Sequence, residues 1–267
     1  MFDFHCHTDF SDGHLSPEAL ILCAIEKGLT QMGISDHYRC LPKGTPDIPV
    51  INKAIFPLYF SKLRDLKEKY RDRINIKISA EWDYFRENCH ETYNDLAIYR
   101  PDYIIGSVHE IFGEEPVNYF HSKHIYSLDR EKLNRIIFRF LEENINLAKS
   151  GKINLLAHYD LFLKFADFKY SDFYDYFTEL AKALENTGTA LEINTRNGRR
   201  GLIDNDPDHF MVKECIKRNI PIVLSSDCHQ KELCNLFSEN MAIMEALGVK
   251  LTCTFEKGKT IPVEFKI

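Results

Sequence analysis

Short runs of apolar, often β-branched residues alternate along the chain with longer segments in which apolar residues recur every three or four positions. Runs of the first kind predict buried strands, and segments of the second kind predict helices with one buried face. Strands are predicted before His7 and at residues 29–35, 74–80, 103–108, 153–157, 190–194 and 220–225, with a short β tail at 251–265. Helices are predicted at residues 16–27, 56–70, 130–150, 171–186 and 234–247, with another that begins at Asp206-Pro207.

The alternation of strands and helices predicts repeated βα units and a parallel sheet. At 267 residues the chain has the length of one α/β barrel, and it shows no linker, internal repeat or low-complexity segment that would mark a second domain. We therefore expect residues 1–267 to form a single domain. In parallel α/β barrels the carboxyl ends of the strands form the active-site face, so polar residues at these ends should lie together.

Side chains that can bind a metal follow six of the seven predicted strands. His5 and His7 lie two positions apart, so both imidazoles point to one side of a strand while Cys6 points to the other. Asp12 follows on a turn. The full set of candidate ligands is His5, His7, Asp12, His37, Glu81, His109, His158, Asp227 and His229. Nine nitrogen and oxygen donors are too many for one ion, so the set predicts two or three metals that share a carboxylate.

The composition limits the classes of function. A net charge of −6 provides no overall basic field for a nucleic-acid backbone, so a bound phosphate must be met by metals or by a few Arg and Lys side chains. The eight cysteines form no CxxC pair, which indicates reduced thiols. No apolar run approaches the length of a membrane span and no signal peptide is evident, so the sequence predicts a cytoplasmic protein without a membrane partner. Nothing in the sequence indicates an oligomeric state.

Two further segments are candidates for substrate contact. An arginine-rich turn follows the sixth predicted strand, and Arg196, Arg199 and Arg200 there could bind an anion in a bidentate manner or could form a solvated turn. Residues 112–128 show no helical period and are predicted to form a long loop at the same end of the sheet as His109.

The strand-end residues resemble the motifs of the polymerase and histidinol phosphatase (PHP) family of metal-dependent phosphoesterases. The matching segments are Asp3-Phe-His-Cys-His-Thr8, Ser11-Asp-Gly13, Ile34-Ser-Asp-His37, Glu81, Gly106-Ser-Val-His109, Ala157-His158 and Ser226-Asp-Cys-His229. Within the family the chain most resembles the monofunctional histidinol-phosphate phosphatases. That likeness rests on the length, on Gly106-Ser-Val-His109 and on Leu191-Glu-Ile-Asn-Thr195 followed by Arg199.

The resemblance implies a distorted TIM-like (β/α)7 barrel with three divalent ions, zinc, manganese or iron, at the carboxyl ends of its strands. It assigns one ion to His5, His7, Glu81 and Asp227. A second ion is assigned to Glu81, which is shared, with His109 and His158, and a third to Asp12, His37 and His229. The expected catalytic carboxylates are Asp12, Glu81 and Asp227. Arg199 matches the family's phosphate-contacting arginine, but this turn departs from the usual form, so Arg196 and Arg200 stay as alternatives.

The activity implied by the resemblance is hydrolysis of a small phosphate ester, L-histidinol phosphate, to L-histidinol and phosphate through a hydroxide that bridges two metals. One alternative is another PHP phosphoesterase that acts on a different phosphomonoester, a nucleotide or a DNA 3′ end. A second alternative is a metal-bound barrel without catalysis, which the presence of all nine candidate ligands argues against.

Overall fold

The computed structural model describes residues 1–42, 53–111, 118–119, 128–164, 170–196, 209–231, 233–234 and 237–266. The strands are β1 (Phe2–Asp3), β2 (Gln31–Ile34), β3 (His37–Tyr38), β4 (Asn75–Ile78), β5 (Glu81–Asp83), β6 (Ile105–Ser107), β7 (Glu110–Ile111), β8 (Asn118–Tyr119), β9 (Leu155–Leu156), β10 (Ala190–Asn194), β11 (Ile222–Ser225), β12 (Leu251–Glu256) and β13 (Lys259–Glu264). The α-helices are α1 (Pro17–Glu26), α2 (Phe56–Lys69), α3 (Cys89–Ala97), α4 (Arg130–Lys149), α5 (Tyr174–Thr187), α6 (Phe210–Arg218) and α7 (Phe237–Ala246).

The parallel strands close into a barrel. One sheet has the order β1-β2-β4 and the other has the order β11-β10-β9-β6-β5-β3. The two sheets are continuous, because β3 follows β2 and β5 follows β4 after a short interruption in each strand. A hydrogen bond from the Glu81 N–H to the Asp36 carbonyl joins the two strands at this interruption. At the seam Cys6 pairs in parallel with Cys228, and the N–H of His7 donates to the Cys228 carbonyl at 2.9 Å. The predicted distorted (β/α)7 barrel is confirmed.

Alternating side chains along the strands separate the barrel interior from the wall that the helices cover. Leu155, Ala190 and Val223 belong to a small buried cluster of barrel residues and residues of the β12–β13 hairpin, in which Phe255 stacks on Tyr103 with ring centroids 4.3 Å apart. Their strand neighbours, such as Leu156, Leu191 and Leu224, pack with the helices in the main core instead. The apolar cluster fills the interior, which leaves the carboxyl ends of the strands for the polar residues.

Most predicted helices and strands are present with shifted ends. As predicted, α1 begins after Ser16, whose Oγ accepts the Ala19 N–H at 3.3 Å, and Pro17 is its first residue. The predicted helix start at Ser171 is wrong. Residues 170–173 form a 3₁₀ turn before α5, and no side chain caps α5. The helix start predicted at Asp206-Pro207 lies outside the described residues.

The sequence pattern did not predict α3 or the short hairpin of β7 and β8. The nine residues of α3 follow β5, and only Thr92 and Leu96 are buried there, so the segment is too short and too polar for the sequence pattern to indicate a buried helix face. The predicted loop at 112–128 is wrong at residues 118–119, which form β8 and pair antiparallel with β7. No helix within the described part of the chain is both long and apolar enough to cross a bilayer.

Candidate metal centre

Glu81 lies at the centre of the polar end of the barrel, with its side chain 1% exposed. It is the first residue of β5, where the strand emerges among the ends of its neighbours. Five imidazole nitrogens surround its two oxygens. Oε2 lies 3.3 Å from His5 Nε2, 3.3 Å from His7 Nε2 and 3.2 Å from His37 Nδ1, and Oε1 lies 3.0 Å from His158 Nε2 and 3.5 Å from His109 Nε2.

Two further carboxylates complete the cluster on the side of the last barrel strand. Oδ1 of Asp227 lies 3.3 Å from His7 Nε2 and 3.6 Å from His229 Nδ1. Oδ2 of Asp12 lies 2.9 Å from His229 Nε2, and its Oδ1 lies 3.3 Å from His7 Nδ1. The structure thus brings together all nine residues that the sequence singled out, although they come from positions 5 to 229.

The ligand atoms fall into small groups that could each hold an ion. Three groups draw only on the predicted residues: His7 with Asp12, His37 and His229; His5 with His7 and Glu81; and Glu81 with His109 and His158. The Nε2 atoms of His5 and His7 are buried and find no hydrogen-bond partner among the described residues. Imidazole and carboxylate donors without thiolate suit zinc, manganese and iron, so the residues present fit divalent metals.

A fourth group shows a residue that the sequence analysis missed. Asp83 joins His37 and His109. Its Oδ1 is hydrogen-bonded to His109 Nδ1, and its Oδ2 lies 3.1 Å from His37 Nδ1. Asp83 is two positions after Glu81 and therefore points to the same side of β5, which is a signal that the sequence contained.

Asp36 was also missed as a site residue, although it lies inside the Ile34-Ser-Asp-His37 motif. Its Oδ1 accepts the Thr8 N–H at 2.8 Å and its Oδ2 accepts the Thr8 hydroxyl at 2.7 Å, while the Ser11 hydroxyl donates to Oδ1. These bonds hold the turn that carries Asp12. Asp36 is buried beneath that turn and positions it.

Among the three predicted arginines only Arg196 belongs to the described residues. Its Nη1 lies 3.3 Å and 3.4 Å from the two oxygens of Asp227, and its N–H donates to Asn194 Oδ1 at 2.9 Å. Arg199 and Arg200 lie outside the described residues, as do residues 112–117 and 120–127 of the predicted substrate loop. The structure therefore places one guanidinium at the edge of the cluster.

Two proposed ligands have a backbone conformation that non-glycine residues rarely adopt. The φ angle is 25° at His158 and 48° at Asp227. Such angles persist only where the surrounding contacts hold them, and they concentrate at functional sites. The strand ends that carry these two side chains are therefore held by their neighbours rather than by local preference.

Opposite charges in the cluster stabilise each other. Burial alone would raise the pKa of the Glu81 carboxyl, but the imidazoles of His37 and His5 hold that pKa well below its usual range. Burial also opposes protonation of His37, yet the carboxylates of Glu81 and Asp83 outweigh it and raise the pKa of His37 to about 10. For Asp227 burial is again outweighed, mainly by His5, and the pKa is well below the usual value. The carboxylates are thus ionised and ready to balance cations.

Metal binding at this centre is expected to release protons and to weaken as the pH falls. At pH 7 His37 holds a proton, because its pKa is about 10, whereas an imidazole must be neutral to bind a metal. The apparent affinity should fall about tenfold per pH unit for each proton that leaves. Titration calorimetry with Zn²⁺ in two buffers that differ in protonation enthalpy measures the number of protons released.

The exposed His90 supplies a control for this titration, since it contacts Lys152 away from the cluster. His90→Ala should release the same number of protons as the parent chain. A binding enthalpy that is equal in the two buffers would contradict the prediction.

Exposure increases from one side of the centre to the other. The side chains of His5 and His7 are fully buried, whereas the side chain of Asp12 is 50% exposed. His37 and His229 are partly exposed beside Asp12. Among the described residues, the centre is therefore most exposed on the Asp12 side.

The fold and the site together define a class of protein, an α/β barrel of seven strand positions with a histidine- and carboxylate-rich centre at the carboxyl ends of its strands. Residues 3–196 match the PHP domain, and the chain belongs to that family. The family resemblance seen in the motifs is confirmed.

Relatives and solved structures agree over nearly the whole chain. A probable histidinol-phosphatase from Deinococcus radiodurans is 25% identical over 263 residues, which cover 97% of this chain and 98% of the relative. The histidinol-phosphatase of Bacillus subtilis is 26% identical over 255 residues, with 85% and 93% covered. The crystal structure of histidinol phosphate phosphatase from Lactococcus lactis, complexed with zinc, L-histidinol and phosphate, has a TM-score of 0.79 at 22% identity and covers 97% and 98% of the two chains. This likeness confirms the fold.

Proposed function

We propose that this protein is a metal-dependent phosphatase that hydrolyses L-histidinol phosphate to L-histidinol and phosphate, a step of histidine biosynthesis. The observation that carries the proposal is the convergence of five imidazoles on the buried Glu81, beside the guanidinium of Arg196. Clustered cations at such a centre suit an anionic ester. The similarity to histidinol-phosphatases along nearly their full length supports this particular substrate.

We propose three divalent ions, zinc, manganese or iron, as the cofactors. The proposed ligand sets are His5, His7, Glu81 and Asp227; Glu81, His109 and His158; and Asp12, His37 and His229. In this proposal residues 1–267 act as one domain, and the protein works in the cytoplasm.

The proposal gives the three carboxylates of the centre different roles. Divalent ions held here would lower the pKa of water and offset the charge of the phosphoryl group. Glu81 and Asp227 supply the buried negative charge that allows cations to lie close together. Asp12 contacts His229 on the exposed side, from which the ester would enter. These three carboxylates are the proposed catalytic set.

The arginine turn is the proposed phosphate-binding element. Nη1 of Arg196 contacts Asp227, and in this proposal the other nitrogens of its guanidinium bind phosphoryl oxygens at the edge of the centre. Arg199, which matches the family's phosphate-contacting position, and Arg200 are proposed to act with it. The positive charge of these arginines would favour the approach of an anion.

The test compares kcat/KM for L-histidinol phosphate and for 4-nitrophenyl phosphate, with protein whose metal content is known. We expect a preference of several orders of magnitude for histidinol phosphate, because contacts to the amino-imidazole part would be used to stabilise the transition state. Glu81→Gln protein, purified in parallel, controls for contaminating phosphatases and should lack both activities.

Two outcomes would contradict the proposal in different ways. Comparable low rates on both esters, with metal bound, would overturn the substrate and keep the phosphoesterase chemistry. Absence of hydrolysis of either ester by the metal-loaded protein would overturn the enzyme itself.

A further inference from the structure

The barrel strand β10 differs from its neighbours because it ends without a candidate metal ligand. Its sequence is Ala190-Leu-Glu-Ile-Asn194. Leu191 and Ile193 belong to the core that the helices cover, and Ala190 belongs to the interior cluster. By alternation Glu192 and Asn194 point to the same side as Ala190, into the barrel. A carboxylate and an amide therefore face the interior from a strand that contributes no proposed ligand.

Glu192 contacts two proposed ligands from two other strands. The side chain is fully buried, and its Oε1 lies 2.6 Å from Nδ1 of His5. Its Oε2 accepts the backbone N–H of His158 at 2.9 Å. A carboxylate can only accept, so Nδ1 of His5 is the donor in this contact, and Nε2, which lies 3.3 Å from Glu81 Oε2, is the nitrogen left to face the centre. The second contact holds the strained backbone of His158, whose φ is 25°.

Asn194 extends the same network to a third ligand. Its Nδ2 donates to Oε2 of Glu192 at 3.1 Å and to Oδ2 of Asp227 at 3.2 Å. Its Oδ1 accepts the N–H of Arg196. The amide thus joins Glu192 to Asp227, which also has a positive φ. All of these side chains except that of Arg196 are buried, so the hydrogen bonds are shielded from water.

We propose that Glu192 and Asn194 make β10 a positioning strand for the metal centre, acting through His5, His158 and Asp227. The inference rests on the proposed metal centre. It does not extend to the group formed by Asp12, His37 and His229, because neither residue of β10 contacts that group in the described part of the chain. Loss of the network should therefore weaken metal binding selectively.

The experiment measures Zn²⁺ binding to the full-length chain by equilibrium dialysis at free concentrations set by a chelator buffer. Glu192→Ala removes both acceptors, and we expect the two ions assigned to His5 and His158 to bind about 10–100-fold more weakly. The ion assigned to Asp12, His37 and His229 should keep its affinity. Substitution with Co²⁺ adds a spectroscopic signature, because a displaced imidazole changes the visible absorption of the ion.

Glu192→Gln keeps the volume of the side chain and guards against a variant that does not fold. Its amide can accept from only one of the two donors, so we expect a smaller selective weakening and an altered Co²⁺ spectrum. Asp102→Asn is the matched control. Asp102 is a part-buried carboxylate at the opposite end of the barrel, where it accepts the Ile78 N–H at 2.8 Å. This variant should lose thermal stability but keep every Zn²⁺ affinity and the parental Co²⁺ spectrum.

Unchanged Zn²⁺ affinities in both Glu192 variants would overturn the inference. Equal weakening at all the sites would also overturn it, because a structural role alone would not spare one group. The assay contains no phosphate ester, so its result is independent of whether histidinol phosphate is the substrate.

Discussion

Replacement of Glu81 by Gln or Ala is expected to remove bound metal and to lower kcat/KM by at least about 10³-fold, since ligation and charge balance by metals contribute several kcal/mol. The two oxygens of Glu81 contact the imidazoles of His5 and His158, one each. Without its charge, two cations in a buried space would repel each other with less compensation. Metal content by atomic emission and kcat/KM on the same preparation test this expectation.

Glu143→Gln is the matched control for Glu81. Glu143 is a buried carboxylate on α4, and it pairs with Arg86 and Arg139 rather than with any proposed ligand. This variant should keep the parental metal content. If the Glu81 variants kept both metal and activity, the central role of this carboxylate would be wrong.

Replacement of Asp3 by Ala should lower the free energy of unfolding of the metal-free protein by about 3 kcal/mol or more. Asp3 is fully buried, and its carboxylate accepts the N–H and the hydroxyl of Ser226 and the N–H of Cys234. These bonds tie β1 to the last barrel strand at the seam. Each buried donor left without a partner costs about 1–3 kcal/mol.

Thermal unfolding of the metal-free chain measures this effect, with an expected fall in Tm of about 10 °C, given roughly 2–4 °C per kcal/mol for a protein of this size. Asp3→Asn keeps the volume and should be less destabilising. Asp72→Ala, at a side chain that is 90% exposed, should change the free energy of unfolding by no more than about 0.5 kcal/mol. A Tm equal to that of the parent in Asp3→Ala would contradict the proposed role of the seam.

Local sequence determined the elements and the positions of the nine candidate ligands. The alternation of β-branched runs with helical periods is a local property, and the carboxyl ends of parallel strands always meet at one face. Hence residues as distant as His5 and His229 could be assigned to one site from the sequence alone. The same local reasoning missed α3, which is short and buries only Thr92 and Leu96, and it misplaced the start of α5, because Ser171 lies inside a 3₁₀ turn instead of capping the helix.

Tertiary structure alone decided which buried groups hold the ligands in place. Glu192 contacts His5 across 187 positions of sequence, and Asp83 contacts both His37 and His109. Such pairs depend on the register and curvature of the barrel and on its closure at Cys6 and Cys228, which no local period encodes. The sequence by itself therefore determined which residues lie at the metal-binding end of the barrel. The closed barrel determined which carboxylates orient those residues, because strand order alone does not define contacts across a barrel.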